Sequence, residues 1–398
     1  MAAFIPRAMQ STLHDVLRIF PCATICGPRQ SGKTTLCRKE FPDLPYVNLE
    51  DLTNRQFAIE DPKGFLSQFT EGAIIDEVQL APDLLSQIQV IIDEDRFQGF
   101  ETRKFLLTGS SNFSLLPQVR QSLAGRNAFL TLLPLSTQEI INGGFTDIST
   151  NIEIIKGGYP AVWTNPDENC RIILENYINA YVERDVRNIL NIEDFRKFTT
   201  FIRLCAARIG YELNKSSLAI ETGVSVPTIE RWISVLEATY VIFLLKPWHG
   251  NISKRLVKSP KLYFYDTGIA TTLLGINSAE QLMGHPLRGS LFENLVINNV
   301  IKYGYNKGLS ENLFFYRDKS GHEVDLIWEQ SSGLSAIEIK AAMTYNTDFR
   351  KNLDYLKNLL NDKIIESKII YNGDSELKGE IAVSNYKNFP SIKMNGQI

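Results

Sequence analysis

The residues able to do chemistry fall into three groups. The first is Gly27-Pro28-Arg29-Gln30-Ser31-Gly32-Lys33-Thr34-Thr35. The spacing G-x-x-x-x-G-K-[ST] lets successive backbone N–H groups wrap a phosphate chain, with a lysine reaching the outer phosphates and a hydroxyl ligating magnesium. Lys33 and Thr34 fit those two roles, and the other residues from Gly27 to Thr35 form the cradle for a nucleoside triphosphate. The second group is Asp76-Glu77, which ends the apolar run Ala73-Ile74-Ile75, together with Ser110 after the run Lys104 to Gly109. Asp76 is expected to hold magnesium, directly or through water, and Glu77 to polarise an attacking water. Two readings of Ser110 stand: a sensor of the terminal phosphate, or plain turn chemistry in Gly-Ser-Ser-Asn.

The third group is Glu293, Asp325, Glu338 and Lys340. Glu338 and Lys340 alternate with Ile337 and Ile339, so they share one strand face. A Ser-Ser-Gly turn folds that strand back on Glu323 to Trp328, which brings Asp325 toward Glu338. Asp325 and Glu338 with Glu293 from a helix supply oxygen ligands for magnesium, and Lys340 supplies a base or charge stabiliser, a set suited to phosphodiester hydrolysis.

These residues need elements to hold them. Ala23 to Cys26 is a short apolar strand and Thr34 to Lys39 opens a helix, so the glycine loop lies at a helix N-terminus where the dipole favours anions. Further strands at Tyr46–Leu49, Ala73–Glu77, Lys104–Gly109 and Ala128–Leu133 alternate with helical segments, the pattern of an α/β domain over residues 1–150. In such a sheet an acid at a strand's C-terminal end lies at the ligand-binding edge. A helical stretch, Leu115 to Ala124, runs into Gly125-Arg126 before the last of these strands. Residues 151–260 read as a helical lid followed by helix, helix, turn, helix and hairpin, with Gly223 at the turn and Pro227 to Leu236 as the candidate recognition helix. Lys246, Lys254, Arg255, Lys258 and Lys261 form a basic strip without an acid, able to track a phosphate backbone. The candidate recognition helix offers only Arg231, with Glu230 beside it. Direct DNA reading and a structural or oligomer-facing lid therefore both stand. Residues 261–398 hold the third chemical group.

The 398-residue length allows several cores, and 44% hydrophobic with 22% charged residues is the balance of a globular protein. A net charge of -3 excludes a global field for nucleic acid and leaves only a local patch. Five cysteines without a C-x-x-C pair argue against zinc or a disulfide framework. No run approaches the roughly twenty apolar residues of a membrane span, so the expectation is a cytoplasmic protein with reduced thiols and no membrane partner.

The order of phosphate loop, Asp-Glu strand, polar strand end and Gly-Arg before a last strand resembles the AAA+ class of ATPases. That resemblance implies an arginine finger at Arg126, with Arg120 as the alternative, reaching a neighbouring subunit in a homo-oligomer. Gly157-Gly158-Tyr159-Pro160 is similar to the adenine-side motif of that class's signalling branch, or is an interdomain turn. Asp325, Glu338, Lys340 and Glu293 resemble the PD-(D/E)xK restriction-endonuclease-like fold, although Val324 stands where that motif has proline. The whole chain resembles a prokaryotic family of AAA-type ATPases with a C-terminal domain of that kind. The resemblance implies ATP hydrolysis with Mg2+, coupled to a nucleic-acid partner, DNA before RNA. An ATP-regulated endonuclease and a non-enzymatic assembly switch are the alternatives.

Overall fold

The computed structural model describes residues 4–110, 123–182, 195–250, 259–309, 312–374 and 380–389. Ser111, Asn112, Arg120, Lys254, Arg255 and Lys258 lie outside the described residues.

Five strands, β1 (Cys22–Cys26), β2 (Tyr46–Asn48), β3 (Gly72–Asp76), β4 (Lys104–Gly109) and β5 (Asn127–Thr131), form a parallel sheet in the order β2-β3-β4-β1-β5. β1 and β3 are buried along their whole length, as parallel strands covered on both faces are. Period-two alternation sorts their side chains. Ala23, Ile25, Ile74 and Leu106 share a core with Leu13 and Leu17 of the helix Gln10–Ile19. Ile75, Phe105 and Leu107 share another with Leu84, Ile88 and Ile92 of the helix Asp83–Gln98. Because all pairings are parallel, the ends of β1, β3 and β4 meet at one edge, where Cys26 pairs with Gly109 and Asp76 terminates β3.

The middle of the chain is helical. In the expected helix-turn-helix, Lys215–Thr222 ends at Gly223 in the left-handed conformation, and Ser225 caps Val226–Ala238. Trp232 of the second helix packs against Phe198 and Phe201, at ring-centroid distances of 5.4 and 5.2 Å. The outward side carries Arg231, with Glu230 paired to Lys215 at 2.8 Å.

A seven-stranded sheet follows, in the order β12-β11-β10-β9-β8-β6-β7. Its strands are β6 (Ile242–Pro247), β7 (Lys261–Phe264), β8 (Leu313–Arg317), β9 (Glu323–Gln330), β10 (Gly333–Lys340), β11 (Ile364–Tyr371) and β12 (Ile381–Asn385). β6 pairs antiparallel with β7 and parallel with β8. The hairpin expected after the helices is β6 with β7, and β8 joins it to the strands that carry Asp325 and Glu338. The hairpin β9–β10 places Ile337 opposite Leu326. The helices Arg288–Asn306 and Lys351–Leu360 both pack on this sheet, the second burying Leu353 and Leu356 against Ile327, Ala336 and Ile369. Among the described residues no helix is long and apolar enough to cross a membrane.

Candidate functional site

Gly27 leaves β1 at φ 148°, where a Cβ would lie 2.2 Å from the Leu132 carbonyl oxygen. Only glycine lets the backbone turn this tightly against β5's exit. Gly32 ends the loop in the left-handed region, and the helix Lys33–Glu40 begins. Arg29, Gln30, Gly32, Lys33, Thr34 and Thr35 line a cavity of about 320 Å³, which Glu50, Asp76, Glu77 and Pro160 complete. Gly27 and Pro28 contribute their carbonyls, which accept from Lys33 Nζ at 2.9 and 2.7 Å. Burial pulls the Lys33 ammonium below its ordinary pKa, against the opposing pull of Glu77 and Asp76. The Ser31 side chain is buried, and its carbonyl accepts from Arg7 at 2.5 Å.

The acids stand where the sequence put them. Thr34 Oγ1 donates to Asp76 Oδ2 at 2.8 Å, and Tyr46 OH donates to the same oxygen at 3.0 Å. Thr108 donates to Asp76 Oδ1. Glu77 takes a left-handed conformation, φ 56°, unusual for a residue with a Cβ and of a kind that clusters at functional sites. Its carboxylate accepts from Ser110 Oγ at 2.9 Å and from Gln79 Nε2. Ser110 thus contacts the proposed base and does not line the cavity.

Arg126 is at the opposite edge of the sheet, where its carbonyl accepts from Cys22 N at the start of β1. Its guanidinium grips Asp93 with both ends, Nε to Oδ1 at 2.6 Å and Nη2 to Oδ2 at 2.7 Å. The roughly 13 Å run of β1 separates it from the cavity of its own chain.

Sequence reading missed Arg7, Tyr46, Gln79 and Asp93. Arg7 is buried beneath the phosphate loop, donating to Ser31 O, to Leu133 O at 2.7 Å and to Glu139 Oε1 at 2.9 Å. No motif flags such a residue, because its partners lie 24, 126 and 132 positions away.

The third group also converges. Asp325 Oδ2 accepts from Ile339 N at 2.7 Å, Lys340 Nζ donates to Glu338 Oε1 at 2.6 Å, and Lys340 lies 3.9 Å from Asp325. Lys261, expected to track phosphate in a basic strip, is 3% exposed and points inward. Its ammonium sits 2.5 Å from Glu323 and 3.3 Å from Glu293, which also accepts from Tyr263 OH. Burial, reinforced by Asp325, pushes Glu338 up to about 8 and Glu293 up to about 7. The donor atoms suit magnesium, but two lysine ammonium groups already take up the carboxylates. Among the described residues no group of three or more His, Cys, Asp or Glu is arranged to hold a metal ion. The expected magnesium set Glu293, Asp325 and Glu338 therefore does not fit a ready divalent site. The nucleotide edge does fit its expected ligand: Thr34 and Asp76 oxygens adjoin in a cavity of suitable size.

Comparison with known proteins gives matches along the chain. Residues 151–280 match the Domain of unknown function (DUF8612), and residues 288–389 the Domain of unknown function (DUF4143). An uncharacterized protein of Mycobacterium tuberculosis, Rv2008c, is 29% identical over 348 residues, 85% of this chain and 74% of its own length. Another uncharacterized protein, MJ1544 of Methanocaldococcus jannaschii, is 26% identical over 76% of this chain and 71% of its own. Among solved structures, the Walker-type ATPase PABY2304 of Pyrococcus abyssi is 14% identical over 68% of this chain and 96% of its own. Its TM-score of 0.46 adds nothing to the fold described above. Residues 20–141, the part of the chain that builds the phosphate loop and its acids, match the AAA domain and are similar to it.

Proposed function

We propose that the chain binds ATP with magnesium at the loop Gly27–Thr35 and hydrolyses it as a homo-oligomer, coupling the cycle to a nucleic-acid-facing C-terminal region. One observation carries the reading. Thr34 Oγ1 and Asp76 Oδ2 lie 2.8 Å apart in the cavity that Lys33 also lines, with Glu77 on its wall. Bound magnesium would neutralise charge on the phosphates, and Thr34 and Asp76 are the residues to hold it. Lys33 exchanges its two neutral carbonyl partners for phosphate oxygens, a charge-assisted bond and therefore a stronger one. Glu77, oriented by Ser110 and Gln79, accepts a hydrogen bond from the attacking water and takes its proton. Arg126 completes the site of a neighbouring copy. The test is phosphate release by Glu77→Gln. A fall of about 10²- to 10⁴-fold with ATP binding retained is expected, and unchanged turnover removes Glu77 as the base.

The convergence of Asp325, Glu338 and Lys340 on adjacent strands keeps an ATP-regulated endonuclease as the second reading. Its test is cleavage of single- and double-stranded DNA and RNA with added magnesium or manganese. Cutting that Asp325→Ala abolishes supports it, and no cutting by the wild type under any nucleotide condition ends it.

A further inference from the structure

A buried polar seam joins the nucleotide cavity to the start of the C-terminal region. Its centre is the turn Gly157-Gly158-Tyr159-Pro160, whose last residue opens a short helix and forms a wall of the cavity. The turn is clamped from both sides. Gly158 donates its N–H to Asp266 Oδ2 at 2.7 Å, while its carbonyl accepts from Leu135 N at 2.7 Å. Lys302 Nζ donates to the Leu135 carbonyl at 2.9 Å, closing the clamp.

The fit leaves no room for slack. A Cβ on Gly157, which sits at φ 64°, would fall 2.2 Å from Asp266 Oδ1. One on Gly158 would fall 2.3 Å from Leu135 O and 3.1 Å from Lys302 Nζ. Asp266 and Lys302 are 3% and 5% exposed. Both carboxylate oxygens of Asp266 are used as acceptors, the second taking the Ile269 N–H that caps the helix Thr267–Leu274. Burial pulls Lys302 down, opposed by Asp266, Glu139 and Glu153. Glu139 is in turn the carboxylate that Arg7 holds while gripping the Ser31 carbonyl. Ser136, next to Leu135, donates its N–H to Glu139 Oε2 at 2.8 Å, so the seam reaches the phosphate loop as well as Pro160. Buried ionic groups cost more than apolar packing of similar volume, so a seam meant only to glue two regions together has cheaper solutions.

We propose that Asp266 and Lys302 are positioning residues for the nucleotide site, fixing the Gly157–Pro160 turn so that ATP affinity depends on the start of the C-terminal region. Neither residue touches the cavity. They act through Gly158 and Leu135, and by reciprocity bound ATP must tighten their contacts in return. This rests on the nucleotide-site reading above.

The test uses the full-length chain and ATP. Lys302→Met removes the donor to Leu135 O. Asp266→Asn keeps one acceptor but turns an NH2 group toward an N–H donor. Each variant is expected to raise the Kd for ATP about tenfold. Turnover at saturating ATP stays within about twofold of wild type. Unchanged Kd in variants that keep a cooperative melting transition overturns the proposal, and so does a loss of turnover with affinity intact. Hydrogen exchange on the wild type decides independently of how the variants fold. ATP should slow exchange at residues 264–270 together with 157–160. Protection confined to the phosphate loop overturns the coupling. Wild-type protein that binds no ATP overturns the nucleotide-site reading itself, and the coupling with it.

Discussion

Two clusters in this molecule use the same residue types, lysine with aspartate and glutamate, and reach opposite states. At the nucleotide edge Lys33 is satisfied by the neutral carbonyls of Gly27 and Pro28, and the acids hydrogen-bond to hydroxyls. In the C-terminal cluster Lys340 and Lys261 are satisfied by the carboxylates themselves. An anion arriving at the first cluster replaces weak partners with a strong one. A cation arriving at the second must displace lysines that already donate to those oxygens. The lesson is that the partner of the lysine, more than its motif, sets what a cluster can take up.

The largest effect should come from Arg126, if it acts on the nucleotide site of another copy as proposed above. Arg126→Ala is expected to lower ATP turnover about 10³-fold or more. Mixing it with Lys33→Ala protein should restore activity, since each supplies what the other lacks. Full activity of Arg126→Ala alone would make the nucleotide edge self-sufficient and break the comparison at that point. The Asp93 pair must open for the finger to work, so Asp93→Ala should not lower turnover.

For the C-terminal cluster the matching change is Lys261→Met. It leaves Glu293 buried without its cation, while Glu323 keeps only Arg317, at 3.6 Å. The expected cost is about 3–5 kcal/mol of folding stability by denaturant melting. Adding Glu293→Gln should recover part of it. A neutral result would mean that the carboxylates are not held by the lysine, which would reopen the cluster as a cation site.

What the sequence made legible was local in the chain. The phosphate loop, Asp76-Glu77 and the hairpin carrying Asp325, Glu338 and Lys340 each occupy a few residues whose spacing dictates their geometry. All five strands of the first sheet were readable for the same reason: short apolar runs bounded by turn residues. Lys261 was misread because a run of basic residues says nothing about which of them turns inward. β6 was legible only as one arm of a hairpin because its second partner, β8, comes some seventy positions later. Arg7, Asp93, Asp266 and Lys302 were invisible because each acts through a partner far away in the chain. Long-range polar pairs leave no period and no motif.

A pH titration sharpens the contrast without mutating anything. An unfolded glutamate loses its proton near about 4.3, whereas folded Glu293 and Glu338 hold theirs up to about 7 and about 8. Between these values the unfolded chain binds fewer protons, so stability is complete below the unfolded pKa and is lost as pH rises through 7 to 8. The Tm should therefore fall between pH 5 and pH 8.5. Glu338→Gln should flatten that slope. A Tm that rises over the same interval would show the carboxylates to be ionised at pH 5 and the lysines to dominate.

The smallest expected effect is the most pointed. Ser110 was open to two readings, and its hydroxyl meets Glu77 at 2.9 Å with Gln79 at 3.3 Å, outside the cavity lining. A serine that senses phosphate should change ATP affinity when removed. One that only orients the base should change the chemical step. Ser110→Ala deletes a hydrogen bond to a charged group, worth about 1.5 kcal/mol, of which only a part bears on the chemical step because Gln79 still holds Glu77. The prediction is therefore a kcat reduced about fivefold with KM within about twofold of wild type. A raised KM with kcat intact would return Ser110 to the phosphate and leave Gln79 as the group that orients Glu77. In that event the left-handed turn at Glu77, set by the backbone, would be what aims the carboxylate.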